Sequence, residues 1–295
     1  MDAPQANIFV ASLTIPPLPR WIVSVPAENP EAAAFRSGAA LAHLGLAAGV
    51  ESLPQALWRD CLALAAAEVC AGLAGRREAA GALRDALHLT KPGDDPGPGG
   101  RVLRQWSRAV ARPISVAALG RALEGAQAES IPVWLDARGA TPVDKAAEVI
   151  EAVLESRPRT ETEALILAEA VLARSMGWDH LLPMLTLEIK ARDLRLRGED
   201  LRLACHRAVV AGAGKALALA ADLTRRSARL RAVAPRLRAR EAGRAVDLFL
   251  SRNAVAPAEM TFMSDRAARR LCDRLVSLGA VRELTGRETF RLYGL

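Results

Sequence analysis

Aromatic residues, histidine and cysteine are all scarce in this 295-residue chain, which has one tyrosine, five phenylalanines, four histidines and four cysteines. Aromatic side chains favour strands, whereas alanine and leucine, which dominate here, favour helices. Apolar residues make up 51% and charged residues 25% of the chain, the balance of a globular protein with a sizeable core. We therefore expect a mostly α protein, and the length favours one large domain plus a small one.

The four cysteines, Cys61, Cys70, Cys205 and Cys272, have neither the short spacing of a zinc site nor the density of a disulfide scaffold. We expect free, mostly buried thiols in a reducing cytosol. No apolar run reaches the roughly 18 uncharged residues of a membrane span, and the N-terminus lacks a signal-peptide pattern. The expected protein is cytoplasmic, makes no membrane contact and is a monomer or a homodimer.

Motifs that carry chemistry are missing as well. The Gly-Lys pair at 214–215 resembles part of a phosphate-binding loop, but Val209 and Ala216 stand where that motif requires glycine and Ser or Thr. Asp94 and Asp95 lie in the turn-forming stretch "KPGDDPGPGG", with no further ligand at a recognisable metal spacing. No HExxH, Gly-x-Ser-x-Gly or kinase motif is present. We expect no enzyme, cofactor or metal; a site of unrecognised pattern in the helical part is the enzymatic alternative.

Positive charge is confined to the C-terminal third of the chain. Residues 1–190 carry 18 basic and 22 acidic residues, a balance of −4, whereas residues 191–295 carry 22 and 11, a balance of +11. A local positive excess is the electrostatic footprint of a protein that binds a polyanion such as DNA. The alternative is that these arginines only cover a solvated helical face.

The sequence pattern divides the chain into three regions. Residues 1–30 contain six prolines and predict an extended arm. Residues 31–235 show helical periodicity throughout, with Thr141 and Thr160 as predicted N-caps and Asp179 as the predicted cap of a helix in "WDHLLPMLTLEIK". A long helix from Glu199 to about Val233 closes this region, and Pro235 marks the predicted boundary.

Residues 236–295 form the most specific pattern. It predicts a helix in "AREAGRAVDLFLSR", a short helix opened by Pro257, a third helix from Ser264 to Gly279 and a hairpin around Thr285-Gly286. At 100° per residue the third helix separates into an apolar arc and a polar arc. The apolar arc holds Ala267, Ala268, Leu271, Cys272, Leu275, Val276 and Leu278. The predicted core of the module consists of Leu248, Phe249, Leu271, Leu275, Leu278 and Phe290.

This order of elements is that of a winged helix-turn-helix, whose third helix enters the DNA major groove while the wing contacts the backbone. We expect Arg266, Arg269 and Arg270 to contact base edges, because arginine binds guanine bidentately. The phosphate contacts would then be Arg274, Arg282 and Arg287, the last at the wing tip. The alternative is a winged domain that docks a protein or mediates dimerisation.

Three long phrases carry a resemblance to a known family. "LRDALHLTKPGDDPGPGGRVLRQW", "GWDHLLPMLTLEIKARDLRLRGEDLRLACHRAV" and "MSDRAARRLCDRLVSLGAVRELTGRETFRLYGL" resemble the bacterial family catalogued as domain of unknown function 1403, over essentially the whole chain. That resemblance implies no reaction, substrate or catalytic residue. The last phrase is also similar to the C-terminal helix-turn-helix of some Fic-type proteins, but the His-Pro-Phe and Gly-Asn-Gly-Arg loop of that family is absent, so adenylyl transfer is not implied.

The sequence thus predicts a double-stranded-DNA-binding protein, a bacterial regulator or replicon-associated factor that uses a C-terminal winged helix. The competing hypothesis is a non-enzymatic helical module for protein–protein interaction.

Overall fold

Helices make up most of the structure, a computed structural model that describes residues 15–23, 29–91, 93–124, 129–237 and 240–295. The prediction of a mostly α protein is confirmed. The helices, in chain order, are α1 (Arg20–Val23), α2 (Pro30–Ala48), α3 (Gln55–Leu73), α4 (Ala80–Leu89), α5 (Gly97–Ala111), α6 (Val116–Ala122), α7 (Ile131–Leu135), α8 (Pro142–Ser156), α9 (Glu161–Ser175), α10 (Gly198–Val233), α11 (Ala242–Phe249) and α12 (Asp265–Ser277). The strands are β1 (Arg282–Glu283) and β2 (Tyr293–Gly294).

Local capping signals fix several of these helix starts. Thr141 and Asp144 form a reciprocal capping box at the start of α8, and the Ser264 hydroxyl accepts a hydrogen bond from the Ala267 amide at the start of α12. The predicted N-cap position of α9 at Thr160 is confirmed, but the capping hydrogen bond is absent, because the Thr160 hydroxyl donates backwards to the Arg157 carbonyl at 2.6 Å.

The core is centred on α9, in which residues 164–173 are all buried. This helix packs mainly on α8, while α2 packs on α10 and α3 on α5. Two fully buried tryptophans tie these layers together. Trp58 donates to the Ala216 carbonyl of α10 at 3.0 Å, and Trp106 to the Cys70 sulfur of α3 at 3.4 Å.

The segment between α9 and α10 is irregular, so the helix predicted behind Asp179 is wrong. Instead, residues 181–186 form a buried stretch that passes between the two helices. The Glu169 carboxylate of α9 accepts hydrogen bonds from the Met184 and Thr186 amides at 2.8 and 2.9 Å. On the other side, Gly212 of α10 lies so close to the Met184 carbonyl that a Cβ there would overlap it. These two tertiary contacts override the helical periodicity of the segment.

The long helix predicted from Glu199 to about Val233 is confirmed as α10. With the 3-10 turn that follows, Gly198–Arg236 is the one described helix that is long and apolar enough to cross a membrane. Half of its most apolar 18-residue segment is buried within the protein. Core helices of globular proteins can have the same length and composition. The predicted boundary at Pro235 falls in this turn, and independent folding of residues 236–295 stays a prediction.

The structure changes the prediction for the stretch "KPGDDPGPGG" and describes only part of the predicted N-terminal arm. In "KPGDDPGPGG" only the first part is a loop, since Gly97–Gly100 already form the first turn of α5 behind Pro96. Most of the predicted arm, residues 1–14 and 24–28, lies outside the described residues. The part that is described contains the short helix α1, which buries Ile22 and leaves Trp21 and Val23 half exposed.

The C-terminal segment follows the predicted order: α11, a 3-10 turn at Pro257–Glu259, α12 and a hairpin. β1 pairs antiparallel with β2, with Arg282 opposite Gly294 and Glu283 opposite Tyr293, and Val255 bridges to the other side of Tyr293. Within α12, Ala268, Leu271, Cys272 and Leu275 are buried as predicted, whereas Val276 is 38% exposed.

Phe290 was predicted to lie in the core, and this is wrong: its side chain is 76% exposed. The hairpin loop is wider than the two-residue turn expected at Thr285-Gly286, because the Leu284 amide bonds to the Leu292 carbonyl and residues 285–291 loop outward. Leu292 and Tyr293 are therefore the hairpin residues that enter the core.

Candidate functional site

The outward face of α12 carries a row of arginines. Arg266, Arg270 and Arg274 follow one another at four-residue steps, and all three are exposed. Residues four apart lie on the same helical face. Among the residues that the structure describes, none forms an ion pair with these three guanidinium groups. The row is therefore available to an external anion.

Arg269 lies beside this row and pairs with Asp265 at 3.0 Å, four residues earlier. Its side chain is 70% exposed, and an exposed pair of this kind contributes only about 0.3–0.5 kcal/mol. The pair is thus easily exchanged for another anion. Arg282, in β1, is also exposed.

Arg287 is placed differently from the expectation of a free wing tip. Its guanidinium contacts the Asp85 carboxylate of α4 at 2.8 Å, and the neighbouring Arg84 donates to the Leu284 carbonyl at 3.2 Å. The hairpin loop therefore rests on α4. Of the six arginines predicted as DNA contacts, Arg287 is the one that forms an ion pair with the helical part of the chain among the described residues.

A second cluster, missed by the sequence analysis, joins three helices in the interior. The Ser37 hydroxyl of α2 lies 2.7 Å from His206 Nδ1, and His206 Nε2 lies 3.3 Å from the Asp144 carboxylate of α8. His206 itself lies on α10 and lines two cavities, of about 980 and 470 Å³. Burial lowers the pKa of His206, and the nearby Asp144 carboxylate acts in the opposite direction.

The tautomer of His206 sets the hydrogen-bond directions. With Nε2–H donating to Asp144, Nδ1 can accept from the Ser37 hydroxyl, whose proton is also within reach of the Ala34 carbonyl at 3.0 Å. The order Ser, His, Asp is that of a nucleophilic triad, but Ser37 is 1% exposed in mid-helix, where a substrate has no approach. Asp144 also caps α8 through its other oxygen. These contacts make the cluster a buried polar interlock between α2, α8 and α10.

Potential metal ligands and thiols are dispersed over the described part of the chain. No group of three or more His, Cys, Asp or Glu side chains is placed there to hold a metal ion. All four cysteines are free, and burial raises the pKa of Cys61, Cys70 and Cys272 to about 12. Such thiols stay protonated and are poor nucleophiles.

Comparison with protein families decides the classification. The family model described as protein of unknown function (DUF1403) matches residues 8–295. The chain belongs to the DUF1403 family. No curated protein matches it. Membership in DUF1403 confirms the resemblance found in the sequence, and it brings no activity with it.

The arginine row could be predicted from the sequence of this DUF1403 chain, whereas the interior cluster could not. The row follows from helical spacing within one short segment. His206 is 169 residues from Ser37 and 62 from Asp144 along the chain, so no local spacing reveals their contact. The signal that existed was the rarity of histidine: one of only four lies in the middle of an otherwise apolar helix face.

Proposed function

We propose that this DUF1403 protein binds double-stranded DNA, and that α12 is the helix that enters the major groove. The observation that carries the proposal is the row Arg266, Arg270, Arg274. At 1.5 Å rise per residue, eight residues span about 12 Å, which is about the width of the major groove. Three exposed cations on one face of a capped helix suit this groove, whose walls are phosphates.

The arrangement around α12 supports a winged-helix interpretation. The hairpin follows α11, the turn at Pro257–Glu259 and α12. The β-bridge from Val255 to Tyr293 adds a third backbone segment to the small sheet, next to β2. We infer that the inward arc of α12, with Leu271 and Leu275, packs on this module while the arginine row faces DNA.

The individual arginines have different proposed roles. Arg266, Arg269 and Arg270, in the first half of α12, contact base edges; Arg274 and Arg282 contact phosphates. Arg287 lies against Asp85, so we expect it to contribute little. A role as a cytoplasmic regulator or replicon-associated factor stays a prediction, and so does a homodimeric state.

Fluorescence anisotropy with a labelled random duplex and with the DNA upstream of the gene tests the proposal. Arg274→Gln should lower the slope of log K against log salt concentration by about 0.9, because one phosphate contact is lost. Arg270→Gln should weaken binding to the preferred duplex about 5- to 150-fold, the equivalent of 1–3 kcal/mol, with a smaller effect on random DNA.

Arg121→Gln is the matched control, since it removes the same charge from an exposed position on α6. It should leave both quantities near the wild-type values, and Arg287→Gln should leave the salt slope unchanged. Equal losses in all four variants would mean that only net charge matters. Absence of duplex binding in the wild type at low salt would reject the proposal in favour of a protein partner.

A further inference from the structure

The outward face of α2 is apolar although it is exposed to solvent. After Glu31 in the first turn, the exposed positions of this helix follow at steps of three or four residues and hold Phe35, Gly38, Ala42 and Leu46. Phe35 is 68% and Leu46 78% exposed. The opposite face of α2 is buried against α10. A helix that is apolar on all sides is typical of a fully buried position, which α2 does not have within one copy of the chain.

α1 extends this surface at the N-terminal end of α2. The Trp21 ring of α1 lies against the Phe35 ring, with 5.6 Å between the ring centroids, and Trp21 is itself 50% exposed. Trp21, Phe35, Gly38, Ala42 and Leu46 are therefore one continuous surface, which we call the α2 face.

The area of the α2 face is of the size that protein interfaces use. With about 150–250 Å² for each aromatic side chain, the exposed parts of Trp21 and Phe35 alone amount to about 250 Å². Leu46 and the helix surface between the two ends add to this area. Apolar patches of several hundred Å² mark interaction sites, and the α2 face supplies a large part of the roughly 800 Å² that each copy buries in a stable dimer.

The lack of charge on the α2 face favours a second copy of the same chain as the partner. A twofold dimer brings the same patch of both copies together, so that any charge on the patch meets a like charge. After Glu31 the outward positions of α2 carry no charge, and Arg36 and His43 lie half-buried at its sides. A charged partner, by contrast, would find no complementary charge on this face.

The distribution of large and small residues favours an antiparallel arrangement. The aromatic pair Trp21 and Phe35 lies at one end of the face and Leu46 at the other, with Gly38 and Ala42 between them. Small residues at the centre allow two helices to approach closely, and the bulky ends then lie against each other. Antiparallel packing also keeps the Glu31 carboxylates of the two copies about 28 Å apart along the helix axis, whereas parallel packing would bring them together.

We propose that the α2 face is the interface of a homodimer in which α2 of one copy packs antiparallel on α2 of the other. Phe35 and Trp21 of each copy lie against Leu46 of its partner. This interface is independent of DNA binding by α12.

Size-exclusion chromatography with light scattering and sedimentation equilibrium on the full chain measure the assembly. The wild type should be a dimer. Phe35→Glu and Leu46→Glu, as separate variants, should each raise the dimer dissociation constant at least about 30-fold, the effect of losing a hot-spot residue. Both should keep the wild-type circular dichroism spectrum, because the two side chains face solvent within one copy. Val133→Glu is the matched control, since Val133 is 72% exposed on α7, and this variant should dimerise like the wild type.

Cysteine substitutions test the orientation of the two helices. The double variant Phe35→Cys/Leu46→Cys should form a disulfide-linked dimer under mild oxidation, because positions 35 and 46 of different copies lie opposite each other. Either single variant should give no such product, since its two cysteines lie about 16 Å apart along the helix axis. The oxidised wild type is the blank for the four native thiols.

A wild type that is monomeric at high micromolar concentration would overturn the proposal, and so would wild-type dimerisation of both glutamate variants. Cross-linking of either single cysteine variant, or a double variant that stays monomeric under oxidation on a denaturing gel, would overturn the antiparallel arrangement on which it depends.

Discussion

Gly212 is the position at which one added methyl group should have the largest effect on stability. A Cβ on this residue would overlap the carbonyl oxygen of Met184 and lie 2.7 Å from its carbonyl carbon and 3.3 Å from its Cα. The Met184 backbone cannot retreat freely, because its amide and that of Thr186 are held by Glu169 on the far side. The strain must therefore be taken up by α10 itself or by loss of these hydrogen bonds.

The magnitude follows from one stabilising term and two destabilising terms. Replacing a mid-helix glycine by alanine stabilises a helix by about 1 kcal/mol. Inserting a methyl group into a close-packed interior costs about 1–3 kcal/mol and sometimes more, and here the obstacle is backbone, which yields less than a side chain. If loss of the Glu169 hydrogen bonds adds about 1–3 kcal/mol, Gly212→Ala should destabilise the protein by about 2 kcal/mol or more.

Gly214, two residues further along the same helix, provides the matched control. A Cβ there would meet only the Leu18 side chain, at 3.9 Å, which is an ordinary contact. Gly214→Ala should therefore show the helix propensity alone and stabilise the protein by up to about 1 kcal/mol.

Urea unfolding followed by circular dichroism at 222 nm measures both variants. The predicted difference between them is about 3 kcal/mol, the sum of opposite effects from the same chemical change. Equal stability of Gly212→Ala and Gly214→Ala would refute the close packing of the 181–186 segment on α10.

Three further predictions concern burial. Burial raises the pKa of Glu169 from its ordinary 4.5 to about 7, so the stability that protonated Glu169 contributes is fully present below about pH 4.5 and is lost as pH rises through 7. Between pH 5 and 8 the free energy of unfolding, measured by urea titration, should therefore fall by about 2–3 kcal/mol. Glu169→Gln keeps the carbonyl acceptor and should abolish most of this pH dependence. Leu275→Ala, at a fully buried position of α12, should cost about 2–5 kcal/mol by chemical unfolding, whereas a loss below 1 kcal/mol would contradict the packing. All four thiols should react with a thiol reagent under denaturing conditions, and Cys61, Cys70 and Cys272 should react slowly in the native protein at pH 8 because burial keeps them protonated.

Local signals in the sequence were sufficient for most helices. α8 begins at the predicted Thr141 cap and α12 at the predicted Ser264 cap, because side chain and backbone meet within three residues. α10 follows from its long apolar periodicity and from an acidic start at Glu199. In each case the determining contacts lie within one turn of the helix, so the sequence pattern contains them.

The failed predictions share a tertiary cause. "WDHLLPMLTLEIK" has helical periodicity, but its amides are bound by Glu169 and its path is set by Gly212, both of which lie outside the segment. Phe290 was assigned to the core on alternation around a tight turn. The actual register is set by the pairing of β2 with both β1 and Val255, which moves the buried positions to Leu292 and Tyr293.

The same distinction separates the arginine row from the anchoring of the C-terminal segment. The arginine row of α12 is a consequence of helical spacing and could be predicted residue by residue. The hydrogen bond from Asn253 to Asp60, by contrast, joins residues 193 positions apart along the chain, which no sequence pattern records. A contact of this range becomes visible only once the C-terminal segment is seen to lie on α3.

The way in which the C-terminal segment is anchored bears on the proposal that α12 binds DNA. The segment meets the helical part through Asn253 on Asp60, Glu259 on His88 and Arg287 on Asp85, and these contacts use the residues before α12 and after it. None of them uses the outward face of α12, so the arginine row stays open while the module is held in place.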